Sequence, residues 1–202
     1  MQSKTSKINI DDTVLVELCR QGDSAAMERL IVKYQNRIYN TILKICANTD
    51  DAAELTQETF VKIIENIDKF QGRSSFYTWA FRIAVNLTLN YCKRNVRLTF
   101  KSLDTQNNGS TKQARKVLKE FLTDARSPNP ERVVQEKELG ELVLKALMEL
   151  DDDHRTIIVL RDIEGMNYAH IARILDIELG TVKSRLSRAR SNLRKILEAV
   201  WQ

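Results

Sequence analysis

Both prolines of this 202-residue chain, Pro128 and Pro130, stand in the six residues SPNPER, and the chain contains only six glycines. Proline removes a backbone donor and clashes with the preceding helical turn, and glycine costs about 1 kcal/mol in a helix interior. Their scarcity leaves almost the whole chain free to form helices. Long stretches rich in Leu, Ile, Ala, Glu, Lys and Arg favour the same outcome. We therefore predict an all-α fold.

One long segment interrupts the helical periodicity. From residue 97 to residue 130 the sequence is largely polar and rich in turn-forming residues, as in DTQNNGSTKQ, and it ends at the two prolines. A segment of this length is too long for an ordinary loop inside a compact domain. We therefore predict two small helical domains, residues 11–96 and 131–202, joined by a flexible linker at residues 97–130.

The first of these domains is predicted to contain amphipathic helices with a break at DKFQGRS. Asp51 is expected to begin one helix, with Glu54 in capping-box spacing, and Ser75 is expected to cap the next. Apolar side chains recur at helical spacing along each helix. The buried faces are predicted to carry Leu30, Ile31, Tyr34, Ile38, Ile42 and Ile45 in one helix, Phe60, Ile63, Ile64 and Ile67 in the second, and Phe76, Ala80, Ile83, Leu87 and Tyr91 in the third.

The second domain ends in YAHIARILDIELGTVKSRLSRAR, the pattern of a helix-turn-helix. Asn167 is placed to cap a first helix, whose small Ala172 allows a second helix to approach closely. A break at Asp176–Gly180 and a second helix from Thr181 complete the pattern. Such a short connection is typical of DNA-binding proteins that place the second helix in the major groove.

This second helix combines an apolar stripe with a basic face that carries serines. At about 100° per residue, the stripe contains Val182, Leu186, Ala189, Leu193, Ile196, Leu197 and Val200. Opposite lies the serine ridge, which consists of Ser184, Ser187 and Ser191. From Thr181 onward there are six basic residues and one acidic residue, a local charge of +5 that equals the net charge of the whole chain.

A ridge of small side chains between cations lets a helix backbone approach a groove while Arg and Lys reach phosphates or guanine edges. A solvated helix face would instead carry long charged side chains all round. We therefore interpret the helix as a recognition helix. The predicted DNA contacts are Thr181, Lys183, Ser184, Arg185, Ser187, Arg188, Arg190 and Ser191.

Composition and motifs argue against catalysis, metal binding and membrane insertion. Cys19, Cys46 and Cys92 stand far apart in apolar helical patterns and are expected to be buried structural thiols. His154 and His170 share no metal-ligand spacing with each other or with a cysteine. The sequence contains no phosphate-binding glycine loop, no Ser-His-Asp set, no apolar run of about 18 residues and no secretory signal. We therefore expect a cytoplasmic protein that is not an enzyme and needs no cofactor or metal ion.

Two motifs in order along the chain carry a resemblance to a known family. DAAELTQETFVKIIENIDKFQGRSSFYTWAFRIAVNLTLNYCKR (Asp51–Arg94) and ELDDDHRTIIVLRDIEGMNYAHIARILDIELGTVKSRLSRAR (Glu149–Arg190) resemble the extracytoplasmic-function (ECF) sigma factors. These are small, two-domain specificity subunits of bacterial RNA polymerase. The resemblance covers nearly the whole chain except the linker, and it implies a protein that directs promoter-specific transcription initiation.

The resemblance also implies roles for particular residues. Asp51, Glu54, Gln57 and Glu58 match the segment that docks on a coiled coil of the polymerase β′ subunit. The loop and helix that follow match the part that recognises and melts the −10 promoter element, where extruded bases need aromatic and hydrogen-bonding partners. The candidates there are Phe70, Arg73, Ser74, Trp79, Arg82, Asn86 and Lys93. The recognition helix is implied to contact the −35 element.

The partners implied by the resemblance are core RNA polymerase, through its β′ and β subunits, promoter DNA and an inhibitory anti-sigma factor. Four positions depart from the family's usual pattern and bear on which promoter is recognised. Asp176 replaces a turn glycine and must tolerate an unusual backbone conformation. The other three are Glu178 at a frequent proline position, His170 in place of an acid and Asn90 in place of an aspartate.

Two other classes of protein fit part of the sequence. An autonomous helix-turn-helix regulator would account for the second domain, but it has no need of LTQETF or of the aromatic loop in the first. A helical adaptor whose basic tail contacts acidic proteins would account for the charge, but not for the serine ridge.

Overall fold

The computed structural model describes residues 11–101, 142–143 and 145–200. The regular structure in these ranges is helical and includes no strand, so the all-α prediction is confirmed. The first half contains α1 (Asp12–Arg20), α2 (Ser24–Cys46), α3 (Thr49–Asn66), a 3-10 turn (Ile67–Lys69) and α4 (Phe76–Lys101). The second half contains α5 (Asp152–Ile158), a π-helical turn (Val159–Ile163), α6 (Tyr168–Leu175) and α7 (Leu179–Val200). None of the helices in the described ranges is long and apolar enough to span a bilayer.

Side-chain caps fix where most of these helices begin. The caps of α1, α2, α3, α5 and α6 are Asp11, Asp23, Asn48, Asp151 and Asn167, whose side chains accept hydrogen bonds from amides of the first turn. Each cap satisfies amides that have no partner within the helix and contributes about 1 kcal/mol. The cap predicted at Asn167 is confirmed. Ser75 is confirmed as well, because its Oγ accepts from the Thr78 amide at 3.2 Å.

Two helix boundaries in the first half differ from those predicted. α3 begins at Thr49 rather than Asp51, because the Asn48 side chain accepts from the amides of residues 50 and 51 and starts the helix earlier. α4 continues to Lys101, so residues 97–101 of the predicted linker are helical. The rest of that linker lies outside the described residues, and the exact domain bounds stay a prediction.

Buried side chains from both halves of the chain form one continuous apolar core. The largest fully buried side chains are Leu30, Ile38, Ile42, Ile45, Ile63, Phe81 and Val85 from the first half, and Leu147, Ile157, Leu160, Ile171 and Ile174 from the second. α4 packs against α2 and α3 of its own half and against α6 of the other half. The two predicted domains therefore share a core, which the sequence did not indicate.

α4 is buried over a wider face than its apolar periodicity predicts. Phe76 and Ala80 are buried as expected, but the predicted Ile83, Leu87 and Tyr91 are only half-buried. The most completely buried side chains of the helix are Ala80, Phe81, Ala84, Val85 and Thr88. A helix that packs against neighbours from both halves buries more than a single stripe.

The cysteines are free thiols, and two of them lie in the core. Cys19 and Cys92 are buried, as expected, whereas Cys46 is half-buried. Burial raises the pKa of the Cys46 thiol to about 11 and that of Cys92 to about 12. Since the thiolate is the reactive form, such thiols are poor nucleophiles near neutral pH. This agrees with a structural role.

Removing the Cys92 thiol should reduce the loss of stability at alkaline pH. Its pKa is about 12 in the folded chain against 9.0 for an unperturbed thiol, so above pH 9 the unfolded chain releases this proton while the folded chain retains it. From pH 9 to 11 this group should lower the free energy of unfolding by about 2 kcal/mol at most. In urea unfolding at both pH values, Cys92→Ala should therefore lose less stability than the wild type. Equal losses would contradict the assignment.

Candidate nucleic-acid interface

One face of α7 packs on the core, and the opposite face is exposed to solvent. Val182, Leu186 and Ala189 are buried, as predicted, while the apolar stripe from there as far as Leu197 is half-buried. All three serines of the ridge are exposed. Their small side chains leave about two turns of helix backbone open to close approach. This is the shape that a helix needs in order to enter the major groove.

A left-handed residue closes α6 and sets the direction of α7. Asp176 follows α6 with φ of 55° and ψ of 48°, a conformation that favours glycine. Its amide donates to the Ala172 carbonyl, and the Ile177 amide donates to the same oxygen at 3.1 Å. The expectation of an unusual backbone at Asp176 is therefore confirmed.

The connection between α6 and α7 is shorter than predicted. α7 begins at Leu179 rather than Thr181, because the Val182 amide already donates to the Glu178 carbonyl at 3.0 Å. Gly180 thus lies in the first turn of the helix instead of the connecting segment. Three residues, 176–178, separate the two helices and hold them close together.

The cations on α7 fall into two groups. Arg185 lies 3.5 Å from a carboxylate oxygen of Asp153, and Arg190 makes a two-point contact with Asp162 at 3.0 and 2.5 Å. The hydrogen bonds that Arg190 donates to the Asp162 carboxylate raise the pKa of Arg190. These pairs anchor α7 to α5 and to the π-helical turn.

Lys183 and Arg188 belong to the second group. Neither forms an ion pair with a carboxylate in the part of the chain that the structure describes, and both are exposed. Arg188 Nε lies 3.4 Å from the Ser184 carbonyl, which holds its guanidinium along the ridge. Thr181 is half-buried at the start of the ridge. Lys183 and Arg188 are therefore available to a polyanion beside the serine ridge, as are the exposed Arg194 and Lys195 farther along the helix.

Phe70 and Trp79, two of the aromatic candidates for the −10 element, lie in a packed cluster. The Phe70 ring centroid is 5.2 Å from that of Trp79 and 6.2 Å from that of Phe76. Phe70 and Phe76 are buried, as expected for Phe76, while Trp79 is half-buried. A base would therefore contact the exposed edge of this cluster rather than insert between its rings.

The polar −10 candidates lie at the surface. Arg73 is exposed and Ser74 half-buried in the loop that follows Gly72, which adopts a positive φ of 66°. The three candidates on α4 are Arg82, Asn86 and Lys93, and all are exposed. Their spacing places them on one face of the helix. Arg82 Nη2 lies 3.7 Å from Oδ1 of Asp176, so this face meets the helix-turn-helix of the other half.

The polymerase-binding candidates lie along α3. Asp51 is half-buried and hydrogen-bonds to Tyr91, whose pKa is raised to about 12 chiefly by burial and also by this carboxylate. Glu54, Gln57 and Glu58 are exposed.

Two further residues extend the exposed face of α3. Val61 is 50% exposed and Ile64 is 48% exposed. The prediction that Ile64 is buried is wrong, because Ile63 takes the inward position and Ile64 lies about 100° round the helix from it. Helical spacing from Gln57 (i+4 and i+7) was the signal that could have placed both residues on the candidate face.

Among the described residues, no group of three or more His, Cys, Asp or Glu side chains is arranged to hold a metal ion.

The candidate site consists of three surfaces: the serine ridge of α7 with its flanking cations, the polar face of α4 beside an aromatic cluster, and the exposed face of α3. Their assigned roles stay predictions.

Comparison with known families and proteins covers both halves. The family model described as Sigma-70 region 2 matches residues 30–98. The family model described as "Sigma-70, region 4" matches residues 140–193. The ECF RNA polymerase sigma-E factor of Escherichia coli is 35% identical over 181 residues, which span 90% of this chain and 91% of that protein. The RNA polymerase sigma-H factor of Pseudomonas aeruginosa is 33% identical over 187 residues, 93% of this chain and 94% of that protein.

Two solved structures share the fold. CnrH in complex with the cytosolic domain of CnrY aligns with a TM-score of 0.63 at 22% identity, covering 93% of this chain and 97% of that one. The sigma factor RpoE of Bartonella quintana, in complex with the anti-sigma factor NepR, aligns with a TM-score of 0.61 at 22% identity, covering 85% of this chain and 96% of that one.

Substitutions at Asp176 should separate backbone strain from side-chain chemistry. Asp176→Gly and Asp176→Ala both remove the carboxylate beside Arg82, but only glycine adopts the left-handed conformation without strain. The glycine variant should therefore be more stable than the alanine variant by about 1 kcal/mol. Thermal unfolding followed by circular dichroism measures the difference, and equal midpoints would show that the turn relaxes to another conformation.

Proposed function

This chain belongs to the ECF sigma factors of the sigma-70 family, and on that premise we propose that it binds core RNA polymerase and directs promoter-specific transcription initiation. In this proposal the first half docks on the polymerase and melts the −10 element, while α7 recognises the −35 element. The chain supplies no catalysis of its own, because the polymerase forms the phosphodiester bonds. Since polymerase and promoter are cytoplasmic, the cytoplasm is the proposed compartment.

The observation that carries the proposal is the arrangement of α7. Its apolar face is buried against the core, and its exposed face presents three serines flanked by Lys183 and Arg188. The major groove of B-DNA is about 12 Å wide, which admits one helix when the side chains that enter first are small. Serine hydroxyls and Arg188 can then reach base edges, while Lys183 neutralises phosphate.

The exposed face of α3 supports docking on a protein. Val61 and Ile64 form an apolar pair in line with Gln57, and the acidic side chains of Glu54 and Glu58 lie beside them. Interfaces commonly have an apolar centre that excludes water and a polar rim that gives specificity. An autonomous regulator would have no use for this face. We assign it to the polymerase β′ subunit.

The α4 surface is proposed to open the −10 element. Arg82 and Lys93 supply positive charge for the strand backbone, and Asn86 lies between them with both donors and acceptors for a base. A base extruded from the duplex would stack on the exposed edge of the Phe70–Trp79 cluster, and stacking of this kind tolerates any base. Ser74 and Arg73 lie in the adjoining loop.

We also propose an anti-sigma partner for this chain. Both solved structures of similar fold are complexes, CnrH with the cytosolic domain of CnrY and RpoE with the anti-sigma factor NepR. A protein whose surfaces are used in turn by polymerase and DNA can be inhibited by any partner that covers those surfaces.

Bulk on the serine ridge should abolish promoter recognition. Purified chain and core polymerase, incubated with fragmented genomic DNA from the source organism, should give discrete transcript starts. From those promoters that require a −35 element, Ser187→Trp should lose transcription because the side chain blocks entry into the groove, whereas Ser187→Ala keeps the ridge small and should remain active. Arg188→Ala should lose about 1–3 kcal/mol of binding if it contacts a base. Discrete starts with Ser187→Trp at those same promoters would overturn this assignment, and an absence of discrete starts with the wild type would overturn the function.

Positive charge introduced on the exposed face of α3 should weaken polymerase binding without unfolding the chain. Gln57→Lys with Glu58→Lys places two cations on the proposed docking face, and co-purification with core polymerase should fall at least tenfold. The matched control is Gln35→Lys with Glu28→Lys, which makes the same changes at exposed positions of α2. The control should bind as the wild type does. Equal binding by both double variants would place the docking surface elsewhere.

A further inference from the structure

α1 lies outside the segment that matches Sigma-70 region 2. That match begins at residue 30, whereas α1 spans Asp12–Arg20. The helix buries Leu15, Val16 and Cys19. It packs on α2 and on the 3-10 turn that leads into the loop at residues 71–75. A helix in this place can determine the shape of that loop without touching DNA.

The C-terminal end of α1 is tied to the residue before this loop. Arg20 Nη2 donates a hydrogen bond to the backbone carbonyl of Phe70, 50 residues farther along the chain. Phe70 follows the 3-10 turn in an extended conformation, and no backbone amide in the described part of the chain donates to its carbonyl. A partly buried carbonyl needs a donor. Arg20 therefore supplies a hydrogen bond that the local backbone does not.

Glu17 orients the guanidinium for this contact. Its Oε2 lies 3.2 Å from Arg20 Nη1, which leaves Nη2 for the Phe70 carbonyl. Arginine donates from a rigid planar fork, so fixing one nitrogen fixes the direction of the other. A hydrogen bond from a charged donor is also stronger than one between neutral groups. The Arg20–Phe70 contact is thus strong and directional.

The N-terminal end of α1 is attached as well. The Asp12 carboxylate accepts hydrogen bonds from Lys33 Nζ at 2.7 Å and from the Tyr34 hydroxyl, both on α2. The centroid of the Tyr34 ring lies 5.6 Å from that of Phe76, the first residue of α4. The two attachments hold α1 in one orientation and so fix Arg20 relative to the loop.

The backbone of Phe70 sets the position of its ring in the aromatic cluster. The ring centroid lies 5.2 Å from that of Trp79, the half-buried member whose exposed edge is proposed to stack on an extruded base. Because the ring and the carbonyl belong to one residue, a displaced carbonyl moves the ring and changes the surface that Trp79 presents.

The loop at residues 71–75 is anchored at both ends. Arg20 holds Phe70 at its start, and Ser75 at its end caps α4 by accepting from the Thr78 amide at 3.2 Å. A surface that is ordered before it binds does not lose affinity to the cost of ordering.

We propose that Arg20 is a positioning residue for promoter opening. By holding the Phe70 carbonyl, it keeps the aromatic cluster and the loop in the shape that receives an extruded base, and it contacts neither base nor phosphate itself. This inference rests on the proposed function. Loss of the contact should slow opening and leave binding to core polymerase unchanged.

Fluorescence of Trp79 tests the positioning in the free chain. The chain contains two tryptophans, so a Trp201→Phe background leaves Trp79 as the single reporter. In this background Arg20→Ala should raise acrylamide quenching about twofold, because a loop that loses an anchor opens locally more often. Arg20→Lys keeps a donor but loses the fork and should give an intermediate value. The control Arg29→Ala removes the same side chain from an exposed position of α2 and should match the parent.

Equal quenching in Arg20→Ala and Arg29→Ala would overturn the proposal, because the contact would then hold nothing in place. Far-UV circular dichroism should show the same helix content in all variants. If Arg20→Ala loses helix content, Arg20→Lys decides the question by the same comparison with the control.

Promoter opening tests the consequence for function. The probe is a duplex promoter at which the wild type and core polymerase start transcription, and permanganate reactivity of the −10 thymines measures opening. Arg20→Ala should open it about tenfold more slowly than Arg29→Ala, since misplaced groups slow a step that depends on geometry. Both variants should bind core polymerase equally. Normal opening together with raised quenching would overturn the role of Arg20 in opening. An absence of starts with the wild type would overturn the proposed function and leave the contact measured by quenching.

The salt dependence of promoter binding separates positioning from direct contact. A side chain that neutralises a phosphate contributes about 1 to the slope of log K against log salt concentration. With core polymerase present, Arg20→Ala should have the same slope as the wild type. A slope shallower by about 1 would show that Arg20 binds the DNA backbone, and it would overturn the positioning role.

Discussion

The burial of α4 between helices of both halves is the constraint on which the rest of the structure depends. Ala80, Phe81, Ala84 and Val85 are completely buried, and the two alanines allow neighbouring helices to approach closely. α2, α3 and α6 all pack on this helix, and one face of its described part is left exposed to solvent between them. That face carries Arg82, Asn86 and Lys93. The candidate −10 surface is therefore positioned by the core rather than by a flexible loop.

Charge has different roles at different depths in this protein. Asp153 of α5 and Asp162 of the π-helical turn pair with Arg185 and Arg190 of α7 and so orient that helix. Lys183 and Arg188 are left for a polyanion. At the boundary between the halves, the nearly buried carboxylate of Glu164 pairs with the nearly buried Lys44 of α2. Ion pairs between acidic and basic side chains thus orient the exposed face of α7 in one place and join the two halves of the chain in the other.

Local patterns predicted much of the fold and little of its assembly. The all-α class, the caps at Ser75 and Asn167, the apolar stripe at the start of α7 and the left-handed Asp176 follow from periodicity and turn chemistry, which act over a few residues. The helix starts of α3 and α7 were missed by two residues because Asn48 and Glu178 supply earlier contacts. The exposure of Ile64 and the pairing of Glu164 with α2 depend on contacts between residues that are distant in sequence. One chain's local pattern contains no signal for such contacts.

The shared core also constrains how this chain can change over evolution. α4 belongs to the first half, but its side chains fill space against α6 of the second, where cores tolerate few changes in volume. A change of volume on the buried face of α4 that packs on α6 is therefore felt by both halves at once, and compatible changes must occur on both sides. A chimera that joins the first half of this chain to the second half of a relative would combine surfaces that never adapted to each other, even where each half folds soundly alone.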